Sequence, residues 1–333
     1  MNVTIKEVAK AAGVSVATVS RVLNNSAVVS EAAAEQVNNA IKELGYSPNF
    51  LGRNLRKCTT NIILAIIPST EQTFYSEIIR GMQTAASDQG YDVLLSTSNC
   101  VPSIEMSLLN MLSTRTVDAA ILFGTTLDLA SLKELNERQY IALCCEKVEN
   151  SGVLTVTVDD EAGAYDAVSN IIKKGHKKIA MISTAFKSSS GNDREKGYRR
   201  ALKDNGIKIK EEYIYKGTYS YQDGETAFKY FMSLDEHPTA IFCISDLIAA
   251  TTIKQAVHDG YIVGKDISVC GFDNILFSSM FVPGITTIEQ PCFQIGKTVV
   301  ERLIDCMSKS KKSSEHIKLK HKLIERESVG YIN

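Results

Sequence analysis

Long apolar segments are missing from this 333-residue chain. Its longest unbroken aliphatic run, Ile62–Ile67, is six residues, whereas a transmembrane helix needs about 20. The start, Met1-Asn2-Val3-Thr4-Ile5-Lys6-Glu7, carries no apolar stretch of the kind an export signal requires. The expectation is a cytoplasmic protein with no membrane partner. No CxxC pair occurs among the eight cysteines (Cys58, Cys100, Cys144, Cys145, Cys243, Cys270, Cys292 and Cys306). Cys144, Cys145, Cys243 and Cys270 lie in or at the ends of apolar strand-like runs, where Cys behaves as a small hydrophobe. They read as reduced thiols, and no metal site is expected. Neither GxxxxGK[ST], GxGxxG nor GxSxG is present. The chain therefore lacks a phosphate-cradling loop and a nucleophile elbow, and is read as a non-enzyme without a cofactor.

What is present is ordinary for a globular protein: 44% apolar and 23% charged residues, in a length that suits two or three domains. The net charge is −1, unevenly spread. Residues 1–57 hold seven Lys/Arg against four Glu, an excess of +3 that leaves −4 on the remainder. A small basic head on a mildly acidic body points to an anionic partner at the N-terminus.

The head shows three helical signals. Thr4-Ile5-Lys6-Glu7 is a capping box, and Ile5, Val8, Ala9 and Ala12 share one face before Gly13 breaks the helix. Ser15 caps a second helix from Val16 to about Leu23, and Ser30 a third over Glu31–Leu44 that Gly45 ends. Two short helices around a Gly turn form a helix-turn-helix pattern. On the second helix Val19, Val22 and Leu23 are the set that packs inward, while Val16, Ala17, Ser20 and Arg21 project together elsewhere. Arg21 can donate to guanine edges or phosphate, Thr18 and Ser20 can reach phosphates, and Val16 and Ala17 can touch thymine methyls.

The stretch Thr4-Ile5-Lys6-Glu7-Val8-Ala9-Lys10-Ala11-Ala12-Gly13-Val14-Ser15-Val16-Ala17-Thr18-Val19-Ser20-Arg21-Val22-Leu23-Asn24 resembles the DNA-binding signature of the lactose-repressor (LacI/GalR) family. The resemblance implies that Val16 and Ala17 open a recognition helix in the major groove, supported by Thr18, Ser20, Arg21 and Asn24. Tyr46–Lys57 resembles the family's hinge, whose short helix forms on operator DNA and wedges a leucine into the minor groove. Leu55 takes that place here, flanked by Arg53, Arg56 and Lys57, a setting that suits a wedge with phosphate contacts on either side.

From Ile62 onward aliphatic runs alternate with helical stretches. Runs at Ile62–Ile67, Val93–Leu95, Ala119–Phe123 and Ile141–Cys144 are separated by helices near 74–89, 103–114 and 128–138. A second series has runs at Leu154–Val158, Ile179–Ser183, Tyr213–Tyr215, Ala240–Ile244 and Ile267–Gly271. Its helices fall near 161–174, 193–204, 221–233 and 246–258, and the tail adds a helix near 291–308 and strands at 317–319 and 323–326. Such alternation reads as parallel sheet covered on both faces. The expected fold is an all-α three-helix head, residues 1–47, a hinge, 48–60, and an α/β core of two doubly wound lobes, 61–333. The N-lobe takes about 61–160 and 290–320, the C-lobe about 161–288 and 321–333. Two such lobes place a ligand crevice between the C-terminal ends of their strands.

Val117–Leu122, Gly175–Ala180, Arg194–Tyr198, Pro238–Phe242 and Val269–Asp273 also resemble the LacI/GalR core, which is similar to periplasmic sugar-binding proteins. The resemblance places Phe74, Tyr75, Asp160, Arg194, Tyr219 and Asp273 on the cleft. An Arg–Asp pair suits vicinal hydroxyls or a carboxylate. Ser69, Gln72-Thr73 and Ser245 depart from the family's commoner Asp, Asn-Pro and Asn. The implied protein is a repressor that binds a palindromic operator as a homodimer under control of a small sugar-like effector. A dimer is expected because no C-terminal heptad helix follows the last strand. Two alternatives stay open: control by a phosphoprotein corepressor with a degenerate pocket, and a small-molecule binding protein with a vestigial head. His176 reads as a turn residue, and neither His316 nor His321 has partners at metal-ligand spacing.

Overall fold

A computed structural model of the chain describes residues 3–23, 29–46, 59–186 and 188–332. The chain divides into two compact units, residues 1–59 and 60–333. In the first, α1 (Ile5–Ala11), α2 (Val16–Leu23) and α3 (Glu31–Leu44) surround a core of Val8, Ala9, Ala12, Val19, Val37 and Ala40. The backbone N–H and hydroxyl of Thr4 both donate to the Glu7 carboxylate (2.7 and 2.9 Å), which fixes the first turn of α1. Gly13 takes the left-handed conformation (φ 66°) that the turn into α2 requires. Ser15 Oγ accepts from Thr18 N at 3.1 Å and so caps α2.

The second unit holds two parallel sheets. The larger is built from β1 (Ile62–Ile67), β2 (Asp92–Thr97), β3 (Ala119–Leu122), β4 (Tyr140–Cys144), β5 (Leu154–Val158) and β11 (His316–Leu319) in the order β11-β5-β4-β3-β1-β2. Every neighbouring pair is parallel, with Leu64 opposite both Leu94 and Ala120. The aliphatic run Ile62–Ile67 is central, so Ile63–Ile67 are buried whichever face they point to. Helices α4 (Phe74–Asp88), α5 (Pro102–Ser113), α6 (Leu129–Arg138) and α11 (Cys292–Ser308) cover the two faces, each with its own apolar core. α4 and α11 approach closely through Gly81 and Gly296. A Cβ at either glycine would lie 2.1 or 1.9 Å from a carbonyl oxygen of the other helix.

The smaller sheet, β7-β6-β8-β9, consists of β6 (Ile179–Thr184), β7 (Ile214–Gly217), β8 (Ala240–Cys243) and β9 (Ser268–Cys270), again all parallel. α7 (Asp160–Lys173), α8 (Ser189–Asp204), α9 (Gln222–Met232) and α10 (Asp246–His258) enclose it around one large core. A short antiparallel pair, β10 (Thr287–Glu289) with β12 (Lys322–Ile324), lies beside it. The chain passes between lobes after β5, between β10 and α11, and between β11 and β12.

Three expectations need correction. The run Tyr213–Tyr215 is not strand throughout. A 3-10 turn covers Glu211–Tyr213 and β7 starts at Ile214, because Tyr213 is buried with its hydroxyl donating to Glu236 O at 2.8 Å. The helix expected from 193 starts at Ser189, capped by Ser188, whose Oγ accepts from Gly191 N at 3.0 Å. β10 was not anticipated. The hinge from residue 48 to 58, with Leu55, lies outside the described residues, as does Asn24.

Candidate functional site: a helix surface and an interlobe cleft

On the head, Val19 is fully buried and turns the opposite side of α2 outward. Val16, Ala17 and Arg21 are exposed there, and Thr18 and Ser20 are half-buried. Thr18 Oγ1 is 2.9 Å from Ser15 Oγ, so part of its hydrogen-bonding capacity serves the cap. The free side of α2 thus carries two small apolar side chains one turn before a guanidinium. Those groups suit thymine methyls and guanine or phosphate oxygens, respectively.

In the second unit, the cleft residues follow the C-terminal ends of strands on both lobes. Asp160 follows β5, Glu146 follows β4 and Tyr75 stands near the start of α4. Arg194 lies on α8 after β6, Tyr219 follows β7 and Asp273 follows β9. Arg194 is the hub and is only 4% exposed. Its Nε donates to Asp160 Oδ1 at 2.8 Å and its Nη1 to Ile244 O at 2.5 Å. Nη1 also stands 3.5 Å from the Tyr219 hydroxyl and 3.7 Å from Asp273 Oδ1. The guanidinium carbon sits 3.8 Å above the Phe272 ring. Among the described residues, nothing accepts from its Nη2.

The two carboxylates are strained electrically. Burial lifts Asp160 to about 6 and Asp273 to about 8, in each case against the pull of the Arg194 charge. Asp273 adopts φ 115°, held by Asp273 N donating to Ile288 O at 2.8 Å and by Gln290 Nε2 donating to its Oδ1 at 2.8 Å. Burial likewise raises the phenols of Tyr75 and Tyr219. The charges of Tyr219, Cys145, Glu146 and Asp273 raise Tyr75 further. Phe74 stands one step back: its ring is 5.5 Å from Tyr75, and both pack on the N-lobe core, with Tyr75 edge-on to Phe123 at 5.2 Å.

Four of the six expected cleft residues, Asp160, Arg194, Tyr219 and Asp273, are thus brought together, while Tyr75 and Phe74 pack against one another on the N-lobe core. The sequence reasoning missed Glu146. Its carboxylate accepts from Ser188 Oγ (2.7 Å), from Ser189 N and Oγ (2.6 and 2.5 Å), from Ser190 N (3.3 Å) and from Ser190 Oγ. It thereby ties the end of β4 in one lobe to the first turn of α8 in the other. Lys147 adds a backbone N–H to Ser189 Oγ (2.8 Å) and an ion pair to Asp193 (2.8 Å). The run Ser188-Ser189-Ser190 was the available signal: three hydroxyls before an apolar-periodic stretch mark a helix start that seeks an anion.

Ser245 caps α10 by accepting from Ile248 N at 3.4 Å. Asp246 holds the following loop by accepting from Ile275 N, Ser278 Oγ and Thr287 Oγ1 (3.0, 2.5 and 2.6 Å). His176 is a buried tie rather than a plain turn residue, reaching Thr239, Ser268 and the carbonyl of Gly330. Among the described residues no helix is long and apolar enough to cross a membrane, and no cluster has the makings of a metal site.

A helix-turn-helix unit joined to a two-lobed body with a polar cleft defines a DNA-binding transcriptional regulator and not an enzyme. Comparison with known proteins gives the family. Residues 4–49 match the bacterial regulatory proteins of the lacI family, and residues 60–327 match the periplasmic binding proteins and sugar binding domain of the LacI family. The chain is 36% identical to the HTH-type transcriptional regulator RegA of Clostridium saccharobutylicum over 99% of its own length and 100% of the relative's. It is 34% identical to catabolite control protein A of Priestia megaterium, with the same coverage. It is 35% identical to the repressor CytR of Escherichia coli K12, over 91% of its length and 89% of CytR. Among solved structures, a lac repressor dimer bound to operator and the anti-inducer ONPF superposes with a TM-score of 0.88. The two are 26% identical, and the match covers 98% of this chain and 99% of that one. The chain belongs to the LacI family of transcriptional regulators.

Proposed function

We propose that the protein is a repressor that binds a palindromic operator as a homodimer and is controlled by a small polyhydroxylated effector held between the lobes. The observation that carries the effector reading is the convergence of Asp160, Arg194, Tyr219 and Asp273 from four separate segments, with Arg194 Nη2 left unspent. A fork-shaped donor beside buried carboxylates suits neighbouring hydroxyls, which donate and accept together. Val16, Ala17, Thr18, Ser20 and Arg21 read the half-site, with Asn24 and Leu55 assigned by their places in the family pattern. The unit boundaries at residues 47 and 60, and the division of the body into lobes, follow the same reading.

The homodimer is supported by apolar side chains that face solvent on both lobes. Leu94 and Leu95 on edge strand β2 are 40% and 39% exposed. In the C-lobe Leu276, Met280 and Val282 are 71%, 62% and 94% exposed on one loop. Solvent-facing clusters of this kind mark association surfaces, and a two-fold dimer matches a palindrome by symmetry. A ligand would act through its differential affinity for two arrangements of the lobes.

A second reading draws on the Glu146 tie, which bridges the lobes without any small molecule. In that reading operator affinity answers to a phosphoprotein corepressor instead. Selection of bound sequences from a random duplex pool at stated salt tests the first claim, with a palindrome as the expected result. Operator affinity measured with and without polyols then separates the two readings. A response supports the effector, and indifference to all of them supports the corepressor.

A further inference from the structure

We propose that the effector carries an amine on its polyhydroxylated skeleton, and that Asp273 is the counter-ion of that amine. The inference rests on the cleft being the effector site, and names the charge of what enters it. Three observations converge on it.

The first concerns anions. α8 is 16 residues long, and its N-terminal amides, with three serine hydroxyls, form the part of the cleft wall best suited to a carboxylate or phosphate. That seat is taken by the chain's own Glu146. A phosphorylated or acidic effector would have to displace it and then face Asp160 and Asp273 as well.

The second is the charge count. Glu146, Asp160 and Asp273 oppose a single guanidinium. Arg194 already spends Nε on Asp160 and Nη1 on Ile244 O, and lies 3.7 Å from Asp273. Asp273 is farther from the guanidinium than Asp160 is, and lacks the serine and amide donors that surround Glu146.

The third is the side chain itself. Asp273 is 6% exposed, and Gln290 donates to Oδ1, but no described residue donates to Oδ2. Oδ2 is not among the buried atoms left without a partner, so it keeps access to the cleft, and an ammonium reaching it there supplies a charge-assisted hydrogen bond. Tyr75 and Tyr219 lie within electrostatic reach of Asp273, and aromatic faces add to the attraction for a cation. Arg194 Nη2 remains to hold a hydroxyl of the same molecule.

Binding would also move a proton. Ligand-free Asp273 titrates at about 8, raised by burial, lowered by Arg194, and raised again by Asp246 and Asp160. Tyr75, Tyr219 and the Cys292 thiol complete the titratable groups that sense it. An ammonium ionises the carboxyl, so at neutral pH binding expels a proton, and affinity rises about tenfold per pH unit below that value.

The test uses the full chain and matched amino, hydroxyl and phosphate forms of hexose, pentose and alditol skeletons. Calorimetry in two buffers of different ionisation enthalpy reads affinity and proton release together. The expected result is an amino form that binds at least about tenfold tighter than its hydroxyl parent with net proton release. Asp273→Asn should weaken the amino form more than its hydroxyl parent, so that the preference disappears, and should abolish the net proton release. Equal binding of amino and hydroxyl forms, or preference for a phosphate form, overturns the amine and leaves the cleft as an effector site. Binding of no member, with operator affinity unmoved by all, overturns both.

Discussion

The head and the cleft, the two proposed recognition surfaces, are built on opposite plans. The head exposes Val16, Ala17 and Arg21 on one side of α2, and its core of Val8, Ala9, Ala12, Val19, Val37 and Ala40 uses none of them. In the cleft the recognition groups are themselves part of the packing. Arg194 joins Asp160 to the end of β8 and stacks on Phe272, and Glu146 joins two lobes. Function and stability are therefore separable in the head and entangled in the cleft. Substitutions that strike one property alone, or both together, test that contrast.

The largest effect is expected at Arg194. Arg194→Ala leaves Asp160 and Asp273 buried without their cation, side chains that are only 6% and 7% exposed. Breaking a buried pair of this kind costs about 3 kcal/mol or more. Thermal and urea unfolding of the 60–333 unit should show the loss, and an unchanged midpoint would mean that Arg194 serves the ligand alone.

Arg21→Ala should do the reverse. The side chain is exposed and takes no part in the head core. Specific operator affinity should fall by about 1–3 kcal/mol, the worth of one good base contact, with both units melting where they did. Footprinting at fixed salt against a calorimetric scan checks the pair of claims. A lowered melting temperature of the head would show that the two properties are entangled there too.

The difference in plan also explains how much could be read from the sequence. The head was legible because its cap, turn glycine and reading helix are contiguous between Thr4 and Leu23. The lobes were legible because central parallel strands such as Ile62–Ile67 are buried on both faces and so become unbroken aliphatic runs. β10, three residues long and paired with a strand 35 residues further on, carries no period to detect. Glu146 was illegible for a stronger reason. Its partners are some 42–44 residues away in the other lobe, and its role exists only once the lobes meet. Asp273 was expected on the cleft from the family pattern, but its place beside Arg194 and Gln290 could be seen only in three dimensions.

The pH response sharpens the comparison without deleting a cation. In the folded chain burial raises Asp160 and Asp246 to about 6 and Asp273 to about 8, each from 3.8. A carboxyl whose folded value is raised binds more protons folded than unfolded. Its contribution to stability is complete below about pH 4 and is lost as pH climbs through the folded values. The ligand-free body should therefore weaken from about pH 4 to about pH 8. Asp273→Asn should flatten the upper part of that decline and leave the variant the more stable chain above it. Denaturant titrations at three pH values read the slope. The head has one carboxylate shifted the other way, Glu7, lowered by its bonds to Thr4, so its trend should not follow the body's.

The smallest effect tests whether the head is as independent as its geometry implies. Thr4 donates twice to Glu7 in the first turn of α1, from its backbone and its hydroxyl. Thr4→Ala keeps the backbone donor and removes the hydroxyl's exposed bond to Glu7, a loss of at most about 1 kcal/mol. The head should melt a few degrees lower while the 60–333 unit, which has its own cores, melts unchanged. Because α1 supports α2 through Val8 and Val19, operator affinity should stay within a few-fold at temperatures below the head's transition and fall off earlier on warming. Operator binding followed across temperature separates the outcomes. A uniform loss at all temperatures would place Thr4 among the DNA contacts, and a shift in the body's melting would couple two units that share no core cluster.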